Sequence, residues 1–223
     1  MTTNPTAPAG SANAARLNPS ASPVCQLAQF ISFYTGYQLK ATPKDPQGRF
    51  FLIQKQDIVS GNLAIKLQRA NLPRLPPEQS LQVGDILLDA PGAKTSRVAL
   101  VLLAAPMPAT LCVTPLVRIR VCDPATLLPG YLFWYLRTSM GQKMLTRYAG
   151  EGPPVDALRE SLHALTLPMP GMAVQQQIAD YYAAACACDA KAMQLRQELE
   201  HNREQILMAL AQQNGDTLQG LVE

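Results

Sequence analysis

The stretch LTLPMPGMAVQQQIADYY, residues 165–182, decides how the chain divides. A short apolar run ends at Pro168-Met169-Pro170-Gly171, where two prolines and a glycine interrupt a strand ladder and helical hydrogen bonding alike. A helical pattern follows from Met172 to Gln213 with neither Gly nor Pro, on a background of Ala, Gln, Leu and Glu. At the helical rise per residue this run spans ~63 Å, longer than the lobe it leaves. One projecting helix is therefore expected over 171–213, with a flexible tail over 214–223.

Within that run a strict 4-3 spacing picks out Val174, Ile178, Tyr181, Ala185, Cys188, Ala192, Leu195, Leu199, Asn202, Ile206 and Ala209. Tyr181 is amphipathic, Asn202 is the only fully polar member, and the rest are apolar, as in a coiled-coil seam. Ala and Cys line its first half, Leu and Ile its second. Two copies running antiparallel would set each bulky half against the other's slim half, with Asn202 helping to fix register at some cost in stability. The plainer alternative is a helix packed along its own domain.

The chain's 223 residues are 48% hydrophobic, enough for one core plus an appendage. Residues 1–23, rich in Ala, Pro, Ser, Thr and Asn with Arg16 as their sole charge, read as a disordered lead-in and have no signal-peptide pattern. The most apolar run, VALVLLAAPMPATLCV, is cut by Pro106 and Pro108, so no membrane span is expected. Cys25, Cys112, Cys122, Cys186 and Cys188 are odd in number and match no disulfide framework. With only His163 and His201 beside them they form no zinc pattern. They read as reduced thiols in a cytoplasmic protein without metal or cofactor. Net charge is +3 and unevenly spread: residues 24–170 hold 15 Lys and Arg against 9 Asp and Glu, whereas 171–213 hold 3 against 5. A basic lobe suggests an anionic partner, and a near-neutral helix a protein partner.

Along residues 24–170 strand signals come first and helical ones later, which argues an α+β fold. PVCQLAQFISFYTGY begins as a short helix or turn and closes at Gly36. RFFLIQKQDI is a strand running into a polar tip, and NLAIKLQ its neighbour. DILLDAPGAKTSRVALVLLA gives a strand, a glycine turn and a second strand. ATLCVTPLVRIRV is a strand pair or one bent strand. Helical spacing then runs through Tyr131, Trp134, Tyr135, Thr138, Met140, Met144 and Tyr148, with Pro129 at its start and Gly150 at its end. VDALRESLHAL is a short amphipathic helix, and TLPMP a last strand.

The Pro-x-Pro after a short strand, then Gln175 with Ile178-Ala179 leading a long helix, resembles the specificity subunits of type I restriction-modification systems. LQVGDILLDAPGAKTSRVALV is similar to that family's strand–turn–strand, LLPGYLFWYLRTSMGQKML to its aromatic helix, and GEGPPVDALRESLHALTLPMP to the segment before its coil. The similarity covers residues 24–213, with loose motifs in the family's order. Val174 stands where the family has Glu. The family's full-length members carry two recognition domains and two helices, and this chain shows one of each. The resemblance implies a target recognition domain over 24–170 and a spacer helix that pairs antiparallel with a second copy. It implies a homodimer without catalytic activity that reads a bipartite palindromic site in double-stranded DNA. The implied partners are an adenine DNA methyltransferase subunit and, beyond it, a restriction subunit.

Enzyme signatures are missing from the residues themselves. There is no Gly-x-Gly-x-x-Gly, no phosphate loop and no Asn-Pro-Pro-Tyr-like motif. Asp85, Asp89 and Lys94 invite a nuclease reading, but their spacing is wrong for a carboxylate-x-Lys metal site and a hairpin turn explains them. Duplex DNA is held mainly by Lys and Arg on phosphates and read by amide and guanidinium groups on base edges. Three loops combine those residue types: Tyr37, Lys40 and Lys44; Gln54, Lys55 and Gln56; and Lys94, Thr95, Ser96 and Arg97. Arg147 adds a backbone contact. Two other readings stay open: a stand-alone DNA-binding regulator or restriction decoy on the same fold, and a coiled-coil protein-interaction adaptor.

Overall fold

The computed structural model describes residues 22–39, 45–59, 62–63, 67–72, 79–92, 94 and 97–219, with backbone alone at Val59 and beyond Ala211. Strand β1 (Val24–Gln26) leads through a 3-10 turn into β2 (Ile31–Thr35). Then come β3 (Phe50–Ile53), the small hairpin of β4 (Ile58–Val59) and β5 (Asn62–Leu63), and β6 (Gln68–Ala70). Strands β7 (Ile86–Asp89), β8 (Leu100–Leu102), β9 (Thr110–Cys112) and β10 (Leu116–Val121) complete the β-rich part. Helices α1 (Pro129–Arg137), α2 (Ser139–Leu145) and α3 (Pro154–Ala164) follow, then β11 (Thr166–Pro168) and α4 (Met172–Gln219). The architecture is α+β with one long C-terminal helix.

A four-stranded antiparallel sheet in the order β2-β10-β7-β8 forms the middle layer. Both of its faces are covered, which is why all four residues of β7 are buried. Ile86, Leu88, Val117, Ile119 and Val121 face a core shared with α1, α2 and α3. Leu87, Val101, Leu103 and Leu116 face the other way, onto Ile53 and Cys112. Those two residues come from the second sheet, β6-β3-β9, in which β3 and β9 run parallel. Burial pushes the Cys112 thiol up to about 11. All five cysteines are free.

Several local expectations are corrected. Residues 31–35 form a strand, because Ile31, Phe33, Tyr34 and Thr35 suit a pleated surface and β10 supplies the partner; only Leu27–Gln29 turn helically. The helix expected from Pro129 to Gly150 is two helices. Thr138 has extended backbone between them, and its hydroxyl accepts the Gly141 N–H at 3.1 Å as the cap of α2. Strands β9 and β10 belong to different sheets. Helix α4 continues to Gln219, so 214–219 is helical rather than tail. A lone Gly215 costs a helix only about 1 kcal/mol, and no proline follows to stop it.

The base of α4 is built into the lobe. β1 pairs with β11, the strand just before the helix, and Met169 N–H donates to the Pro23 carbonyl at 2.9 Å. Tyr131 and Tyr135 of α1 donate their phenols to the Pro168 and Thr166 carbonyls at 2.8 and 2.9 Å. Gln175 is 1% exposed. Its Oε1 accepts the Leu128 N–H at 2.9 Å, while Nε2 donates to the Thr126 and Pro170 carbonyls at 3.1 and 2.9 Å. One side chain thus ties α4 to the start of α1. Gly130 lets the two helices touch, since a Cβ there would stand 2.9 Å from that of Ala179.

Candidate nucleic-acid interface

Strand register decides which loops share a surface. Thr35 pairs with Val117 and Asp89 with Leu116, so the end of β2, the end of β7 and the start of β10 lie at one edge of the middle sheet. Residues Val113-Thr114-Pro115 form the hub there. The Tyr37 backbone N–H donates to the Cys112 carbonyl at 2.8 Å, and Thr114 Oγ1 donates to the Gly36 carbonyl at 2.8 Å. Val113 N–H donates to Ile53 at 2.9 Å, bringing in the end of β3. Gly36 is required by this approach, because a Cβ would meet backbone atoms of Val113, Thr114 and Leu116 at 2.7–2.8 Å. Nothing in the sequence pattern singled out this hub beyond the turn signal of its Thr-Pro.

Tyr37 and the Gln54–Gln56 tip therefore meet at this end, and Lys55 reaches Asp89, where the third loop begins. Tyr37 is half-buried and, like Leu39 and Leu72, packs against the cluster of Phe50, Leu52, Ala70, Leu111 and Val113. Lys55 pairs with Asp89 at 2.8 Å but keeps 62% of its side chain exposed. Gln54 opens the 3-10 turn over Lys55–Asp57 in a reciprocal capping arrangement with Asp57, and its Nε2 donates to Gln68 Oε1 at 2.8 Å. Gln56 Nε2 donates in turn to Gln54 Oε1 at 3.3 Å. Both amides are thus engaged by the fold. Lys94, Arg97 and Arg147 are exposed. Lys40, Lys44, Thr95 and Ser96 lie outside the described residues.

The carboxylates are occupied too. Asp85 is fully buried and accepts two bonds from Arg120, at 2.6 and 2.8 Å, plus the Gln82 N–H at 2.7 Å. Donating to the Asp85 carboxylate raises the Arg120 pKa. Arg118, 1% exposed, stacks 4.0 Å over the Tyr34 ring and donates to the Ser80 carbonyl at 3.0 Å. Its Nε and Nη2 find no partner among the described residues. Burial, then the charge of Arg120, lowers its pKa. Sequence reasoning missed this interior cation, since Arg-x-Arg in a strand reads as an exposed face. Among the described residues no group of three or more His, Cys, Asp or Glu could hold a metal. No described helix is long and apolar enough to cross a membrane.

Along the expected seam of α4, Val174, Tyr181, Cys188, Ala192, Leu195, Leu199, Asn202 and Ile206 are exposed. Ile178 and Ala185 are half-buried, and Ile178 packs against the lobe's main core. The lobe-facing stripe is a different one, formed by Gln175, Ile178, Ala179, Tyr182 and Cys186. Tyr182 stacks near Phe133, with ring centroids 6.0 Å apart.

These features define a class: an α+β lobe with polar and basic residues at one sheet end, mounted on a helix that extends beyond the lobe. Solved structures of type I restriction-modification systems share that fold. A chain of a type I R-M system, described for its complex assembly and conformational transition, superposes with TM-score 0.59 at 16% identity. The match covers 84% of this chain and 44% of that one. The HsdS subunit of Thermoanaerobacter tengcongensis superposes with TM-score 0.52 at 15% identity, over 78% of this chain and 39% of its own. The chain thus spans under half the length of the solved chains it matches. No family model and no curated protein matches the sequence.

Proposed function

We propose that the chain is a sequence-specific DNA-recognition subunit that brings an adenine DNA methyltransferase, and through it a restriction subunit, to a two-part site. The observation that carries this reading is the meeting of Tyr37, the Gln54–Gln56 tip and Asp89, where the third loop begins, at one end of the middle sheet, on a lobe with a cationic excess. Phosphate contacts from Lys55, Lys94, Arg97 and Arg147 would position the lobe on the duplex. Tyr37, Gln54, Gln56 and the loop residues Lys40, Lys44, Thr95 and Ser96 are the candidates for base edges. The subunit itself is non-catalytic in this reading: Asp85 is spent on Arg120, and Asp89 pairs through one oxygen with Lys55.

The exposed distal part of the seam, from Cys188 to Ile206, supports a second copy as the partner of α4. Leu199 is 70% exposed and Ile206 60%, on a helix that has left the lobe. Apolar side chains in that position are stabilised only by burial against another chain. Antiparallel pairing sets the Ala/Cys half against the Leu/Ile half and holds two recognition lobes at either end of a spacer. Identical lobes then read a palindrome whose gap the coil fixes.

Selection from a random duplex library, with and without a methyltransferase partner, tests the reading. It expects enrichment of two identical inverted half-sites at constant spacing. Failure to enrich any sequence would favour a protein-interaction adaptor. Removing charge at Lys55, Lys94 and Arg97 should weaken duplex binding and flatten its dependence on salt.

A further inference from the structure

Beside the third loop, the α1–α2 corner encloses a concavity of about 360 Å³ lined by Arg97, Arg137, Ser139, Gln142, Lys143 and Thr146. Three cations line it and no carboxylate does. None of the three forms an ion pair among the described residues, whose ion pairs are Lys55–Asp89, Arg120–Asp85 and Arg159–Asp156. Asp180 and Asp189 border the neighbouring groove along α4, which shares Arg137, without pairing to it.

The floor is a built one. Gln142 is 6% exposed and bonded at both ends of its amide: Oε1 accepts the Val98 N–H at 2.7 Å, and Nε2 donates to the Leu136 carbonyl at 2.8 Å. Those bonds clamp the residue after Arg97 to the residue before Arg137, so the two guanidinium-bearing segments keep a fixed relation. Arg137 is further oriented by aromatic faces, 5.5 Å over Phe133 and 5.8 Å over Tyr182. Three like charges held together repel one another unless an anion joins them. An arginine fork suits phosphate oxygens in particular, and a lysine adds a point charge.

We propose that this basin binds a phosphodiester group of duplex DNA, with Arg97 shared between it and the third loop. The inference rests on the DNA-recognition reading and adds Arg137 and Lys143, which lie on helices rather than loops. Because Arg137 also stacks on Tyr182 of α4, a phosphate held there fixes the duplex relative to the spacer helix as well as to the lobe.

The test is fluorescence anisotropy of a labelled duplex titrated across salt with the full chain, comparing the parent with R137Q/K143Q, Arg137→Lys and a Lys55/Lys94 charge-removal variant. The double variant is expected to keep its melting temperature and to lose about 0.9 from the log–log salt slope per phosphate released. Binding at ~0.1 M salt should weaken roughly tenfold per lost contact, equally on selected and scrambled duplexes. Arg137→Lys should keep the parent's slope. A folded double variant with the parent's slope and affinity overturns the basin alone, provided the parent binds and the Lys55/Lys94 variant is impaired. A parent that binds no duplex even at low salt overturns the basin together with the DNA reading.

Discussion

Between Gln175 and Cys186, α4 presents a stripe to the lobe: Gln175 buried and bonded three times, Ala179 against Gly130, Tyr182 beside Phe133. From Lys191 to Ala211 every residue is exposed, including Leu195, Leu199, Ile206, Leu207 and Leu210. One unbroken helical pattern therefore serves two ends with opposite surroundings. The proximal stripe is amphipathic in an intramolecular sense and anchors the helix. Over its distal half the seam beside it is exposed and has no apolar partner among the described residues. Helix propensity is alike in both halves, so the difference lies in tertiary context, and substitutions in the two halves should report it through different observables.

The largest effect on folding is expected at Gln175. Gln175→Ala takes the side-chain partner from the Leu128 N–H and from the Thr126 and Pro170 carbonyls, at a cost of about 3 kcal/mol in urea unfolding, shared among the three bonds. A loss below about 0.5 kcal/mol would mean that the anchor lies elsewhere.

Next comes pH. Burial pushes the Tyr131 phenol up to about 12 from its usual 10, and burial also raises Tyr135. A group whose folded pKa is raised is stabilising below its unfolded pKa. That contribution is lost as pH climbs from 10 towards 12, where the unfolded chain ionises first. Unfolding free energy should therefore fall by about 2 kcal/mol over that interval, and Tyr131→Phe should remove most of the dependence while losing the bond to Pro168.

A smaller loss, about 1 kcal/mol, is expected for Gly130→Ala, whose methyl presses on Ala179. The smallest is Leu199→Ser in the distal half. At dilutions where copies are apart it should change unfolding by less than about 0.5 kcal/mol, while abolishing the concentration dependence of the melting temperature. A large destabilisation of the dilute chain would erase the contrast between the two halves.

The long helix was legible because its breakers are: Pro168, Pro170 and Gly171 on one side, and no Gly or Pro through Gln213 on the other. The β7–β8 hairpin was legible because a glycine turn separates two apolar runs. Strand β2 was not, since its partner β10 lies more than eighty residues on and short apolar runs carry no period. Nor did spacing reveal which stripe of α4 meets the lobe, because Ile178 belongs to both. Gln175 marks the right stripe only once Leu128, Thr126 and Pro170 are seen around it. At the candidate interface composition only proposed the loops, and it could not show Gln54 capping a turn, Lys55 held by Asp89, or Arg137 and Lys143 lining a basin with Arg97.

Sedimentation equilibrium of the full chain at micromolar concentration, alongside L195E/L199E, tests the pairing of α4 most directly. The account predicts twice the chain mass for the parent and single mass for the folded variant. A parent that sediments as one chain at all concentrations would contradict it.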